Sequence, residues 1–155
     1  MLGETLFMIA RADFATEHFA GLPEPVVIDN NILSQFCVSE RWLGDLDTGM
    51  ITLGAQAATL HASPTPECGL LSLMRCYDGA DRSHILDLFE QASTASSHFC
   101  YSTTVTCADG RRQPVFCTGQ STGLEQEHSG SISGVFVFPH FQLEPKGVLH
   151  RLWQA

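Results

Sequence analysis

The chain reads as an α+β domain: a five-stranded antiparallel sheet with helices packed on one face, preceded by a helical extension. Three observations carry this. Asp47-Thr48-Gly49 supplies turn chemistry between the apolar segments around Trp42 and Met50-Ile51, with Gly49 free to take a positive φ. Asp109-Gly110 separates two β-rich runs, Phe99 to Cys107 and Val115-Phe116-Cys117, and Asp-Gly in that setting is a strong hairpin signal. Between the hairpins lies a helical stripe, and Ser131 to Phe138 adds a fifth strand.

Taken in order, Leu6, Ile9, Ala10 and Phe14, with Phe7 alongside, predict a short amphipathic helix over 6–19. Gly21-Leu22-Pro23-Glu24-Pro25 breaks it. Val26 to Ile28 is a strand or an anchored apolar segment, and Asp29-Asn30-Asn31 a turn or cap. This extension either covers an exposed sheet face or forms a dimer contact. Met50 to His61 predicts the second strand running into a short helix, after which Ser63-Pro64-Thr65-Pro66 interrupts the chain before Cys68 to Tyr77. In 81–92 Asp81 suits an N-cap, and Ile85, Leu88, Phe89 and Ala92 form the i, i+3, i+4, i+7 stripe that packs on a sheet. Phe99, Tyr101, Thr103 and Val105 share one face of the third strand. In the last strand Ile132, Gly134, Phe136 and Phe138 point one way and Val135 and Val137 the other, so both faces are apolar. The organisation expected is an extension over 1–40, one domain over 41–140 and a tail or linker start over 141–155.

Composition narrows the function classes. With 155 residues, 44% of them apolar, the chain can bury one core. A formal charge of −9, with no basic run, repels a phosphate backbone and argues against nucleic-acid binding. The start, Met1-Leu2-Gly3-Glu4, lacks a basic lead and long apolar stretch, and no segment reaches the ~20 apolar residues of a membrane span, so a cytoplasmic setting without membrane contact is expected. The six cysteines form no Cys-x-x-Cys pair, and most read as small core hydrophobes. His98 and Cys100 share a strand face, but two groups do not make a zinc site, and no metal is expected. Glu125, Glu127 and His128 sit in a Gly/Ser-flanked loop where acids are usually solvated. With neither a Gly-x-Ser-x-Gly elbow nor a Gly-rich phosphate loop, no catalytic residue is assigned and no enzyme is expected. A small cone-type α+β enzyme with scattered acid and base groups is the enzymatic alternative.

Several of these features fall in one order. Trp42, Asp45 and Gly49 spell Trp-x-x-Asp-x-x-x-Gly; Asp81-Arg82 opens the long helix; the Asp109-Gly110 turn and Ile132-Ser133-Gly134-Val135 follow. Over about Arg41 to His140, two-thirds of the chain, this pattern resembles the PAS sensor family, in the branch with that opening. The resemblance implies a sensory, signal-transducing domain that binds a small molecule or a protein partner and relays its state through dimer or effector contacts, the effector being a histidine kinase of a two-component system or a cyclic-dinucleotide enzyme. It implies a homodimer through the outer sheet face, making Phe7, Phe14, Val135 and Val137 interface candidates. It makes His84, Phe89, Tyr101 and Thr103 the pocket candidates. The cofactor stays unassigned: the flavin-binding branch needs a reactive cysteine in an Asn-Cys-Arg-Phe-Leu-Gln-type helix, which neither Cys68 nor Cys76 has, and His84 is the only histidine on the helix where haem-binding relatives carry theirs. The closing strand runs into Phe138-Pro139-His140-Phe141 rather than an Asp-Ile-Thr-type motif, so a free-standing interaction adaptor with no ligand is the alternative.

Overall fold

Asp45 closes the first hairpin with its own side chain: one carboxylate oxygen accepts from the backbone N–H of Asp47 at 2.8 Å and of Thr48 at 3.3 Å, and Gly49 takes φ 69°. The second hairpin turns through Gly110, at φ 84°, with Cys107 N–H donating to the Arg111 carbonyl at 2.7 Å. The computed structural model describes residues 7–11, 34–107, 109–123 and 130–140, the first of these as backbone. Its elements are β1 (Phe7–Arg11), β2 (Cys37–Asp45), β3 (Met50–Leu53), α1 (Ala55–Leu60), β4 (Glu67–Gly69), α2 (Leu70–Arg75), α3 (Arg82–Thr94), β5 (Ser97–Thr106), β6 (Arg112–Ser121) and β7 (Ser131–Pro139).

The strands make one antiparallel sheet in the order β1-β5-β6-β7-β2-β3-β4. The α+β class is as expected, but the sheet has seven strands rather than five. Phe7–Arg11, expected as part of a helix, is a strand paired with β5 from Phe7↔Tyr101 to Arg11↔Ser97. The short apolar run fits either period, and pairing with the edge of β5 decides for the strand. The other addition, β4, pairs Ile51 with Cys68 on the far side of β3. Strand β2 starts at Cys37 and pairs with β7 from Cys37↔Pro139 onward. The expected elements over 12–33 and the tail over 141–155 lie outside the described residues.

The inner face of the sheet carries the core. Along β5, Phe99, Tyr101, Thr103 and Val105 are buried, and the α3 stripe of Ile85, Leu88, Phe89 and Ala92 is buried with them. Trp42 is the hub, with ring centroids 6.1 Å from Phe89, 6.4 Å from Phe99 and 5.6 Å from Phe136. Each tilted aromatic pair contributes about 1 kcal/mol beyond its buried area. Two glycines make room: Gly119 pairs with Gly134 across β6 and β7, and a Cβ at Gly119 would enter the Phe99 ring while one at Gly134 would meet the Thr118 carbonyl. Helix α1 is tied to the sheet by Glu40 of β2, whose carboxylate accepts from Gln56 N–H at 3.2 Å and Ala57 N–H at 2.6 Å, two of the four donors a helix start leaves unpaired. Among the described residues no helix is long and apolar enough to cross a membrane.

Candidate functional site

Helix α1 presents the small residues Ala57 and Ala58 to the sheet, and this lets the residue that ends it, His61, enter the core with no exposed surface. Its Nδ1 lies 2.7 Å from the Ala57 carbonyl, which can only accept, so Nδ1 carries the proton. Burial holds the ring neutral by lowering its pKa from 6.5 to about 4, against the opposing pull of that backbone bond. Nε2 is then an acceptor, and the Tyr77 hydroxyl 3.1 Å away donates to it. The Tyr77 oxygen in turn accepts from Tyr101, 3.0 Å further on. Burial pushes both tyrosines well above the usual phenol range. The chain reaches the Cys117 sulfur, which lies against Tyr101 and Trp42, with burial raising the thiol far above its usual value. Trp42 Nε1–H is the one buried side-chain polar group among the described residues with no hydrogen-bond partner of bonding geometry.

The four pocket candidates separate. Phe89, Tyr101 and Thr103 are buried on the inner side: the Phe89 ring meets Phe99 edge-on at 5.4 Å and lies tilted 6.2 Å from Tyr101, and Thr103 donates to the Asp81 carboxylate at 2.7 Å. His84 is exposed on the first turn of α3 and lines no part of that interior. Asp81 precedes α3 as expected, but its side chain makes no capping bond and is given to Thr103 instead. Arg82 reaches back to the carbonyls of Tyr77 and Arg75, both at 3.1 Å, locking α3 to the end of α2. His61, Tyr77 and Cys117 escaped the sequence reading. A lone histidine and two scattered residues have no periodic signature; the Ala57-Ala58 step was the available signal, since small residues mark where a helix approaches a sheet closely.

A cavity of about 240 Å³ opens beside this chain, bounded by His61, Pro64, Cys68, Leu73 and Cys76. The Cys76 thiol donates to the His61 carbonyl at 2.7 Å, and burial raises both thiols above their usual range. Ala62, at the rim, holds φ 52°.

The outer face differs in kind. Val135 and Val137 are half-buried, Leu43 is 61% exposed, and a groove of about 740 Å³ runs past Cys37, Ser39, Arg41, Gln56, Val135 and Val137. A second depression, of about 460 Å³, adjoins it over β5, β6, β7 and β2. His98 and Cys100 both sit on this face; among the described residues no group of three or more metal-binding side chains is assembled. Of the interface candidates, Val135 and Val137 lie on it, the side chain of Phe7 is outside the description, and Phe14 lies outside the described residues, as do Glu125, Glu127 and His128. No protein-family model matches the chain, and no curated protein matches it either.

Proposed function

We propose that the chain is a PAS-type sensory and interaction module of the cytosol that works as a homodimer through the outer face of its sheet and passes its state to an attached or associated effector, such as a histidine kinase or a cyclic-dinucleotide enzyme. The observation that carries this reading is the charge and polarity of that face. The chain carries 17 acidic residues, yet the outward positions of β5, β6, β7 and β2 hold a single carboxylate, Asp45, and that one is folded back onto its own hairpin. Elsewhere two copies of an acidic chain repel each other; here they meet across Val135, Val137 and Leu43. Further support comes from the element order over 37–139, in which β2 and β3 are followed by the three helices, with the short β4 between the first two, and then by β5, β6 and β7.

A ligand-free adaptor is the second reading, favoured by the interior: Trp42, Phe89, Phe99, Tyr101, His61 and Phe136 fill the space between sheet and helices where a sensor would hold an internal ligand. Sedimentation equilibrium of the wild type and of a Val135→Glu/Val137→Glu double variant tests the dimer. The wild type is expected to be a dimer and the variant a monomer with an unchanged melting temperature. A wild type that stays monomeric from micromolar to millimolar concentration overturns the reading. Native mass spectrometry of the same protein decides between sensor and adaptor through a retained small molecule.

A further inference from the structure

The register of the central strands builds two polar rows on the outer face. One runs His98, Gln120, Ser133, Leu43 across β5, β6, β7 and β2; the next runs Cys100, Thr118, Val135, Arg41. Between them lies the row Phe99, Gly119, Gly134, Trp42, whose side chains belong to the inner face, so the strip separating the two rows is bare backbone. This is the floor of the 460 Å³ depression, a volume within the range of small-molecule sites.

No carboxylate lines it, although the chain carries −9. Three other guanidiniums are engaged: Arg111 with Asp109, Arg112 with Asp78 at 3.3 Å, Arg82 with two carbonyls. No carboxylate among the described residues pairs with Arg41, and the hydroxyls of Thr118 and Ser133 and the amide of Gln120 make no side-chain hydrogen bond there either. A lone cation flanked by uncommitted donors, on an acid-free floor in an acidic chain, is the arrangement that receives an oxyanion.

We infer that this depression is a binding site for an elongated small molecule with an oxyanion head, carboxylate or phosphate, held by Arg41, and a polar body read by Thr118, Gln120, Ser133 and His98. From β2 to β5 the site crosses three strand spacings, about 14 Å, which suits a molecule of several bonds better than a bare ion. The site rests on the dimer reading in one respect: Arg41 and Val135 line both the depression and the groove beside it, so an occupied site alters the surface on which the second copy sits. Occupancy and association are then linked, and each changes the other's equilibrium by the same factor.

Amide chemical shifts of the wild type titrated with inorganic phosphate, citrate and a decaglutamate peptide test the site, with sedimentation equilibrium on the same samples. Phosphate and citrate are expected to give saturable shifts confined to Arg41, His98, 118–120 and 133–135, with dissociation constants on the order of 1 mM for these fragments of a ligand. Arg41→Gln is expected to weaken both at least tenfold while leaving the melting temperature in place. The stronger of the two anions identifies the head group. Shifts that do not saturate, that scatter to other surfaces, or that persist in Arg41→Gln overturn the site. Decaglutamate binding tenfold tighter than citrate overturns a small molecule in favour of an acidic protein segment. A dimer without saturable shifts removes this inference alone, whereas saturable shifts on a monomer remove the dimer reading and leave the site.

Discussion

The two faces of the sheet spend the same strands on opposite ends. Inward, the row from Phe99 to Trp42 is packed so closely that Gly119 and Gly134 cannot carry a methyl group, and among the described residues every buried polar side-chain atom but the Trp42 N–H is paired. Outward, one residue away along each strand, Arg41, Thr118, Gln120 and Ser133 stand uncommitted over an open depression. Because a strand alternates with period two, neighbouring residues answer to different constraints: the inner set to density and hydrogen-bond closure, the outer set to whatever it meets. The inner face therefore predicts stability and the outer face predicts association.

The largest effect is expected from Gly134→Ala, which drives a methyl group into the Thr118 carbonyl, part of a backbone that cannot step aside. A loss of about 3 kcal/mol or more, read from urea unfolding, is expected; a wild-type midpoint would mean that β6 and β7 lie farther apart than their register implies. Next comes acid. His61 is neutral in both states above pH 6.5; below it the unfolded chain takes up a proton that the folded chain refuses until about pH 4. Stability is fully present above pH 6.5 and falls by about 3 kcal/mol as pH drops through that window, while His61→Leu flattens this part of the profile. A third comparison tests the direction of the buried chain. Tyr77→Phe leaves both His61 Nε2 and the Tyr101 hydroxyl unpaired, for about 2 kcal/mol, whereas Tyr101→Phe removes only the outer donor, for about 1 kcal/mol. Equal losses would reverse the assignment of donors. Smallest of all, Leu43→Ser on the open face is expected to shift unfolding by less than about 0.5 kcal/mol while weakening self-association.

How far the sequence foretells this depends on the range over which each feature is determined. Both hairpin turns, the buried stripe of α3 and the split of β7 into two faces follow from residues a few positions apart, and all stand as expected. Features that need a distant partner do not. Phe7–Arg11 matches a helix locally and becomes a strand only because β5 offers its edge; the three residues of β4 carry no period until paired with β3. The same holds inside the site. Tyr101 was legible as one of an inward row, but His61 and Tyr77 gain their roles from one another across the fold. Arg41 is a solvated charge by itself and becomes a candidate ligand only when the register sets it beside Thr118 and Ser133.

The pairing of β2 with β7 has a kinetic side. Trp42 faces Gly134, so the ladder at the centre of the sheet joins an early part of the chain to a late one. During synthesis the first hairpin, with its tryptophan, leaves the ribosome with nothing to lie against until β7 has emerged. A fold closed by so distant a contact forms slowly, because loop-closure entropy is lost before native contacts reward it. The nascent β2–β3 hairpin, with one edge open and its aromatic hub uncovered, is the species on which a chaperone would act and from which aggregation would start.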